Sequence, residues 1–240
     1  MLADFHNHSC LSPCGSLDMS PRILAEIAAA KKIEVLALTD HNSGLNCPAF
    51  GFHCRRLGII PVYGIEVTTR EEIHVLALFA GPGAVKEFGE YVYSIITPFV
   101  NIPEKSGDQV YVDENDNILG EVEYFLVNAA DIGVDELGAK VSEYGGIVIP
   151  AHVDRPAFSM TSQLGVVVHG PWAALECVRI PSSVNTFHYP LVTGSDAHYP
   201  EHVGRRPFKL NASREELLPH GPEKDIDIDV LKEALGKNIK

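Results

Sequence analysis

Histidine and acidic residues border one apolar run after another in this chain: His6-Asn7-His8, Thr39-Asp40-His41, Gly64-Ile65-Glu66, Ile73-His74-Val75, Pro150-Ala151-His152 and Gly194-Ser195-Asp196-Ala197-His198. The adjoining runs are Leu2 to Phe5, Val35 to Leu38, Ile59 to Val62, Val75 to Phe79, Ile147 to Ile149 and Leu191 to Val192, and each reads as a short buried strand. His74 precedes its run instead of following it. Ligand-type side chains at the ends of many parallel strands, gathered at one rim, describe a metal-dependent site on a β/α barrel.

Alternation of apolar runs with helical segments through the first two-thirds predicts βαβ units and a parallel sheet. Ser20 is placed to cap a helix with Pro21 in its first turn and Ile23, Leu24, Ile27 and Ala28 at helical spacing. Further helices are expected over 48–57, 84–96, 134–144 and 228–235. Residues 109–120 break the rhythm with two alternating runs around a polar tip, Asp113 to Asn117, the pattern of a β-hairpin. The segment 101–124 is too short for its own core, so it is expected as an insertion near the rim of one domain spanning 1–240.

A formal charge of −13 disfavours a strong grip on nucleic acid or an anionic membrane, yet leaves room for an anionic small substrate beside bound cations. No stretch approaches the roughly 18 apolar residues of a membrane helix, and the opening residues lack signal-peptide character, so a cytoplasmic protein without membrane contact is expected. Cys10, Cys14, Cys47, Cys54 and Cys177 are odd in number and scattered, which argues against a disulfide framework.

On a strand, His6 and His8 face the same side and can clamp one ion. Imidazoles and carboxylates without clustered thiolates suit catalytic zinc, iron or manganese. With these pieces in order from residue 4 to about 206, including Leu36-Ala-Leu-Thr-Asp-His-Asn42 and Pro61-Val-Tyr-Gly-Ile-Glu66, the chain resembles the PHP (polymerase and histidinol phosphatase) metal-dependent phosphoesterases. The resemblance implies a distorted α/β barrel of roughly seven strand-helix units, TIM-like in plan, with two or three divalent ions (Zn, Fe or Mn) at its rim. It places His6, His8, Glu66 and Asp196 on a first ion, Glu66, His74 and His152 on a second, and His41 and His198 on a third.

Many relatives carry an Asp or His five or six residues after the second histidine. Pro13 and Cys14 stand there instead. Either a Cys14 thiolate replaces that ligand, or Cys14 is a turn cysteine and the third position is half-built.

Two ions bridged by Glu66 would activate a water and stabilise both oxygens of an in-line displacement at phosphorus. Asp40 then orients His41 or the attacking water, or else caps the helix after the second strand. His198 acts as a ligand or as proton donor to the leaving oxygen. Phosphate calls for guanidinium: Arg155, three residues past His152, comes first, Arg205 or Arg206 second and Arg179 third. His53 is expected as a surface or packing residue, and His188, His202 and His220 as bystanders, with His202 nearest the site. His169 is a further candidate for the substrate pocket. The expected activity is phosphomonoester hydrolysis of a small organic phosphate or nucleotide. The alternatives are a nuclease or nucleotide phosphatase acting on nucleic-acid ends, and a non-catalytic metal-stabilised binding module.

Overall fold

Val35 to Leu38 seed the middle of the sheet in a computed structural model of the chain, which describes residues 1–219 and 224–237. His220 lies outside the described residues. The central strand, β2 (Val35–His41), pairs in parallel with β1 (Leu2–Asp4) and β3 (Ile60–Thr68), with α1 (Pro21–Ala30) and α2 (Cys47–Arg56) as the crossovers. Ser20 Oγ accepts the amide of Ile23 at 3.3 Å, the cap its sequence position predicts.

The order then departs from an all-parallel sheet. β4 (His74–Phe79) runs antiparallel to β3, because the five residues between them are too few for the crossover that a parallel strand needs. The turn reverses the chain, so the first residue of β4 arrives at the rim where β2 and β3 end. This is why His74 precedes its apolar run.

The chain continues through α3 (Pro82–Ile95) and the short α4 (Pro103–Ser106) into a hairpin of β5 (Val110–Val112) and β6 (Ile118–Glu121) around the polar tip. After α5 (Val134–Glu143), β7 (Ile147–Pro150) pairs antiparallel with the other edge of β4. Beyond α6 (Met160–Leu164), β8 (Leu175–Glu176) and β9 (Leu191–Val192) form a parallel pair, and β10 (Phe208–Lys209) pairs antiparallel with β1. Single bridges tie Trp172 to Val148 and Ala197 to Asn7, so the curled sheet is continued on both sides. The helices α7 (Arg214–Leu217) and α8 (Ile228–Gly236) end the described chain.

Alternation along the strands sorts the core. Val35, Ala37, Ile60, Val62, Leu76, Leu78, Ile147 and Ile149 share one apolar cluster, which α8 joins through Leu231 and Leu235. Leu36, Leu38, Ile65, Val67, Val75 and Phe79 point the other way into a cluster with Leu24, Phe50 and Phe88 from the helices. With a side-chain period of two, His41, Glu66 and His74 belong to the first, inner face. Gly64 sits two residues before Glu66 on that face, and a Cβ there would lie 2.8 Å from both Leu78 and Thr39.

Candidate active site

Glu66 is buried where five imidazoles converge. Its Oε1 lies 3.1 Å from His6 Nε2, 2.9 Å from His74 Nδ1 and 3.3 Å from His152 Nε2. Its Oε2 lies 3.4 Å from His8 Nε2 and 3.0 Å from His41 Nδ1. Asp196 Oδ1 stands 3.5 Å from both His6 Nε2 and His8 Nε2, and 3.4 Å from His198 Nδ1. All eight residues expected as ligands therefore meet at one rim.

Their grouping differs from the expected partition: His74 clusters with His41 and Glu66, while His152 clusters with His6 and Glu66. His6, His8 and Asp196 form a third group, and His8, His41 and His198 a fourth. The donors fit divalent cations. His6 Nε2, His8 Nε2, His41 Nδ1, His74 Nδ1 and Glu66 Oε2 are buried without a hydrogen-bond partner, an expense a protein core rarely tolerates unless something else satisfies them.

Outer groups hold these side chains in place. Glu176 accepts from His6 Nδ1 at 3.0 and 3.1 Å and also receives the amide of His152 at 3.2 Å. Sequence reading missed this carboxylate, although an acid inside the probable strand 175–178 is the same signal that marks Glu66. Asp40 does not reach His41 as expected; its oxygens receive Ser9 Oγ, Ser9 N and Ser12 Oγ at 2.6 to 2.7 Å. Ser12 Oγ in turn lies 3.0 Å from His8 Nδ1, so Asp40 acts on His8 through a hydroxyl. Phe158 stacks on His74 with ring centroids 4.9 Å apart.

His152 and Asp196 adopt φ of 31° and 47°, a left-handed backbone that costs free energy for side chains of this kind and is retained at functional sites.

The buried acids and imidazoles shift one another's protonation. Burial alone would push the Glu66 carboxyl up, but His74, His6 and His41 outweigh it and hold it well below the usual carboxylate range. Asp196 is likewise held down against burial, chiefly by His6. Burial, then the charge of His198, keeps His8 well below its ordinary value, and burial brings His74 to about 4. For His6, Glu176 and Glu66 overcome burial and raise it; for His41, Glu66 and Cys14 do so, to about 10. Protons on those two imidazoles compensate carboxylate charge that a divalent ion would otherwise balance.

A cavity of about 850 Å³ opens beside the cluster, lined among others by Arg155, Arg179, Arg205, Arg206, His198 and His202. Arg155 Nη1 pairs with Asp196 Oδ2 at 3.0 Å. Arg205 and Arg206 spend much of their donor capacity on the loop that carries Asp196: Arg205 Nε bonds Ser195 O at 2.6 Å and Arg206 Nε bonds Gly194 O at 2.8 Å. The guanidinium of Arg179, ranked last from sequence, has no ion pair among the described residues and faces the same cavity.

Cys14, exposed, also lines the cavity, near enough for the charges of His41 and His198 to act on its thiol. Burial would raise that thiol, yet the two imidazoles bring it down to about 6. His53 is buried, with Nε2 3.1 Å from Glu114 O, and is a packing residue. His169 packs against Phe187, ring centroids 4.5 Å apart, away from this cavity. Residues 101–124 approach the rim at Gly107, whose missing Cβ leaves room for the backbone of Pro13.

A family model for the PHP domain matches residues 4–151. The chain belongs to the PHP domain family. No curated protein matches the sequence.

Among solved structures, the lesion-specific endonuclease Q of Pyrococcus furiosus is similar at 20% identity and a TM-score of 0.59, over 90% of this chain and 54% of its own. Endonuclease Q in complex with a 27-mer duplex bearing an abasic lesion matches at 19% identity and a TM-score of 0.58, over 89% of this chain and 54% of its own. The chain thus spans about half the length of these relatives. A Bifidobacterium adolescentis protein, provisionally described as a metal-dependent phosphoesterase, matches at 16% identity and a TM-score of 0.57 over 99% of this chain and 96% of its own. These likenesses agree with the mixed α/β fold and its curled, half-barrel sheet. No helix among the described residues is long and apolar enough to cross a membrane.

Proposed function

We propose that this chain hydrolyses phosphomonoesters of small organic phosphates or nucleotides, on a single domain that completes a distorted (β/α)7 barrel with residues 101–124 as an insertion. The observation that carries this reading is Glu66, whose two oxygens divide five imidazoles between them beside a cavity edged with arginines. His6, His8, Glu66, His74, His152 and Asp196 would hold two divalent ions, with His41 and His198 beside them. Bound there, such ions supply Lewis acidity and an activated water at neutral pH.

The chain's own residues do the rest. Arg155 and Arg179 receive phosphate oxygens, since a guanidinium fork matches them in pairs. Arg205 and Arg206 brace the Asp196 loop and turn their remaining donors to the substrate. His198, a fifth exposed at its side chain, is placed to give a proton to the leaving oxygen. Glu176 and Asp40 orient His6 and His8 from behind.

A second reading, cleavage of phosphodiesters in nucleic acid, draws on the likeness to endonuclease Q. The charge of −13 weighs against it, because a basic surface is needed to hold a duplex. One experiment separates the readings: hydrolysis of a chromogenic phosphate monoester and of a duplex oligonucleotide with an abasic site, each with added divalent ions and with chelator. Monoester turnover abolished by chelator supports the first reading, and duplex cleavage alone supports the second. Metal uptake with neither activity supports a non-catalytic binding module.

A further inference from the structure

We infer that Asn46 is a positioning residue of the centre, joining the hairpin of β5 and β6 to His8 through a fixed order of hydrogen bonds. The inference rests on the metal-centre reading above and adds to it a part for the hairpin. Asn46 stands at the N-cap of α2, where an asparagine side chain ordinarily accepts a helix amide, yet it makes no such bond. Its side chain is fully buried and its donors and acceptor are spent elsewhere. Oδ1 accepts Val112 N of β5 at 2.9 Å, and because a backbone N–H can only donate, this contact fixes which end of the amide is oxygen. Nδ2 is therefore the donor to Ser9 Oγ at 2.8 Å, with Val110 O at 3.5 Å as its second acceptor.

The order runs on from there. Ser9 Oγ receives Asn46 Nδ2 and, at 3.3 Å, the Leu11 amide, and gives its one proton to Asp40 Oδ2 at 2.6 Å. Ser12 Oγ gives its proton to Asp40 Oδ1 at 2.7 Å and receives the His41 amide at 3.2 Å. With that proton committed, the 3.0 Å contact between Ser12 Oγ and His8 Nδ1 is a bond that the imidazole donates. Nδ1 thus carries the hydrogen, and Nε2 turns a lone pair toward Glu66 Oε2 at 3.4 Å and Asp196 Oδ1 at 3.5 Å. A lone pair facing two carboxylates is repelled by them and becomes favourable when a cation lies between. Asn46, Ser9, Ser12, Asp40 and His8 are all buried, so bulk water does not compete for these bonds.

The hairpin leans on the same segment at both ends. Two strands alone are marginal in water, and β5 is held by a small apolar cluster of Cys10, Val110 and Val112 together with Asn46. The returning chain is fastened by a second buried asparagine. Asn42 Nδ2 donates to Leu126 O and Asn128 O at 2.7 and 2.8 Å, while Asn42 N donates to Glu66 O at 3.0 Å. Both asparagines follow His41 in sequence, so the hairpin docks on the segment that leaves the site and its placement is passed to His8.

The test is a cycle of substitutions in the full chain, read by zinc affinity in competition with a chromophoric chelator. Asn46→Ala is expected to weaken zinc binding about tenfold, the low end for a partner that supports a ligand. Ser9→Ala cuts the order between Asn46 and Asp40 while leaving the bond from Val112 to Asn46 in place, and should weaken binding to a similar degree. The double variant should be no weaker than the weaker of the two single ones. In zinc-free protein, nitrogen NMR of labelled histidine rings should find the hydrogen of His8 on Nδ1, and Ser12→Ala should abolish that preference. This measurement stands even where Asn46→Ala does not fold. Losses that multiply in the double variant would show Asn46 acting on the hairpin alone and overturn the inference. Full affinity in Asn46→Ala, or a wild-type His8 with its hydrogen on Nε2, would overturn it as well, each leaving the centre at Glu66 intact. Wild-type protein that takes up no zinc would overturn the metal-centre reading and this inference together.

Discussion

Both oxygens of Glu176 lie within 3.1 Å of Nδ1 of His6, and this contact fixes which nitrogen of His6 faces Glu66 and Asp196. A histidine whose second nitrogen is held by a carboxylate is a better and better-aimed ligand. Glu176→Ala should therefore weaken metal binding by about 10- to 100-fold, the usual effect of removing such a partner. Glu176→Gln keeps an acceptor oxygen and should recover much of the loss. Competition titration against a chromophoric chelator measures both, and unchanged affinity in Glu176→Ala would refute the role.

Glu66→Ala should be the most damaging single substitution at the rim, because it removes the one group shared by His6, His8, His41, His74 and His152. Elemental analysis should show that more than one ion is lost. Glu66→Ala protein with its full metal content would sink the assignment of Glu66 as the bridge.

Arg155 and Arg179 should separate in their effects. Arg155 pairs with Asp196, so Arg155→Ala should raise KM for a phosphate ester about tenfold or more, the worth of a charge-assisted contact, and also loosen metal binding. Arg179 touches no ligand, so Arg179→Ala should raise KM with metal content unchanged. Equal kinetics of Arg179→Ala and wild type would refute a role for Arg179 in phosphate binding.

Asp4 gives the fold a pH dependence. Burial, helped by Glu176 and opposed by the amide of Ser195, raises its carboxyl from 3.8 to about 6. A folded-state value above the unfolded one means that the stability Asp4 lends is complete below about pH 4 and is lost as the pH rises through about 6. The cost at neutral pH is on the order of 3 kcal/mol. In chelator-treated protein, Asp4→Asn should melt at a higher temperature than wild type at pH 7, and its melting temperature should vary less between pH 4 and 6. A lower melting temperature for Asp4→Asn at pH 7 would contradict this.

Single residues at strand ends carry most of the rim in the sequence itself, because a cluster of donor side chains needs particular residue types at particular offsets. His6, His8, His41, Glu66, His74, His152, Asp196 and His198 are readable for that reason, and so is the cap at Ser20. Pairing direction is less readable. An apolar run looks the same whichever way it is traversed, and only the short gap before His74 betrays the reversal of β4. Strand length is underestimated for a related reason: β3 continues through Glu66 to Thr68, past the Ile59 to Val62 run, because Gly64 and Glu66 on its inner face interrupt the apolar pattern. Supporting contacts such as Asp40 to Ser12 to His8 join residues through space and leave no periodic trace.

The reversal of β4 has a consequence for how the site comes into being. Thr68 is paired with His74 and Val67 with Val75, so Glu66 and His74 are diagonal neighbours across a hairpin only eight residues apart in sequence. Two side chains of the centre, in contact at 2.9 Å, are thus set by one local ladder, before any distant strand need arrive. A slip of that ladder by one position would send His74 to the helix-covered face, which makes the tight turn at 69–73 the part of the chain least tolerant of an inserted residue.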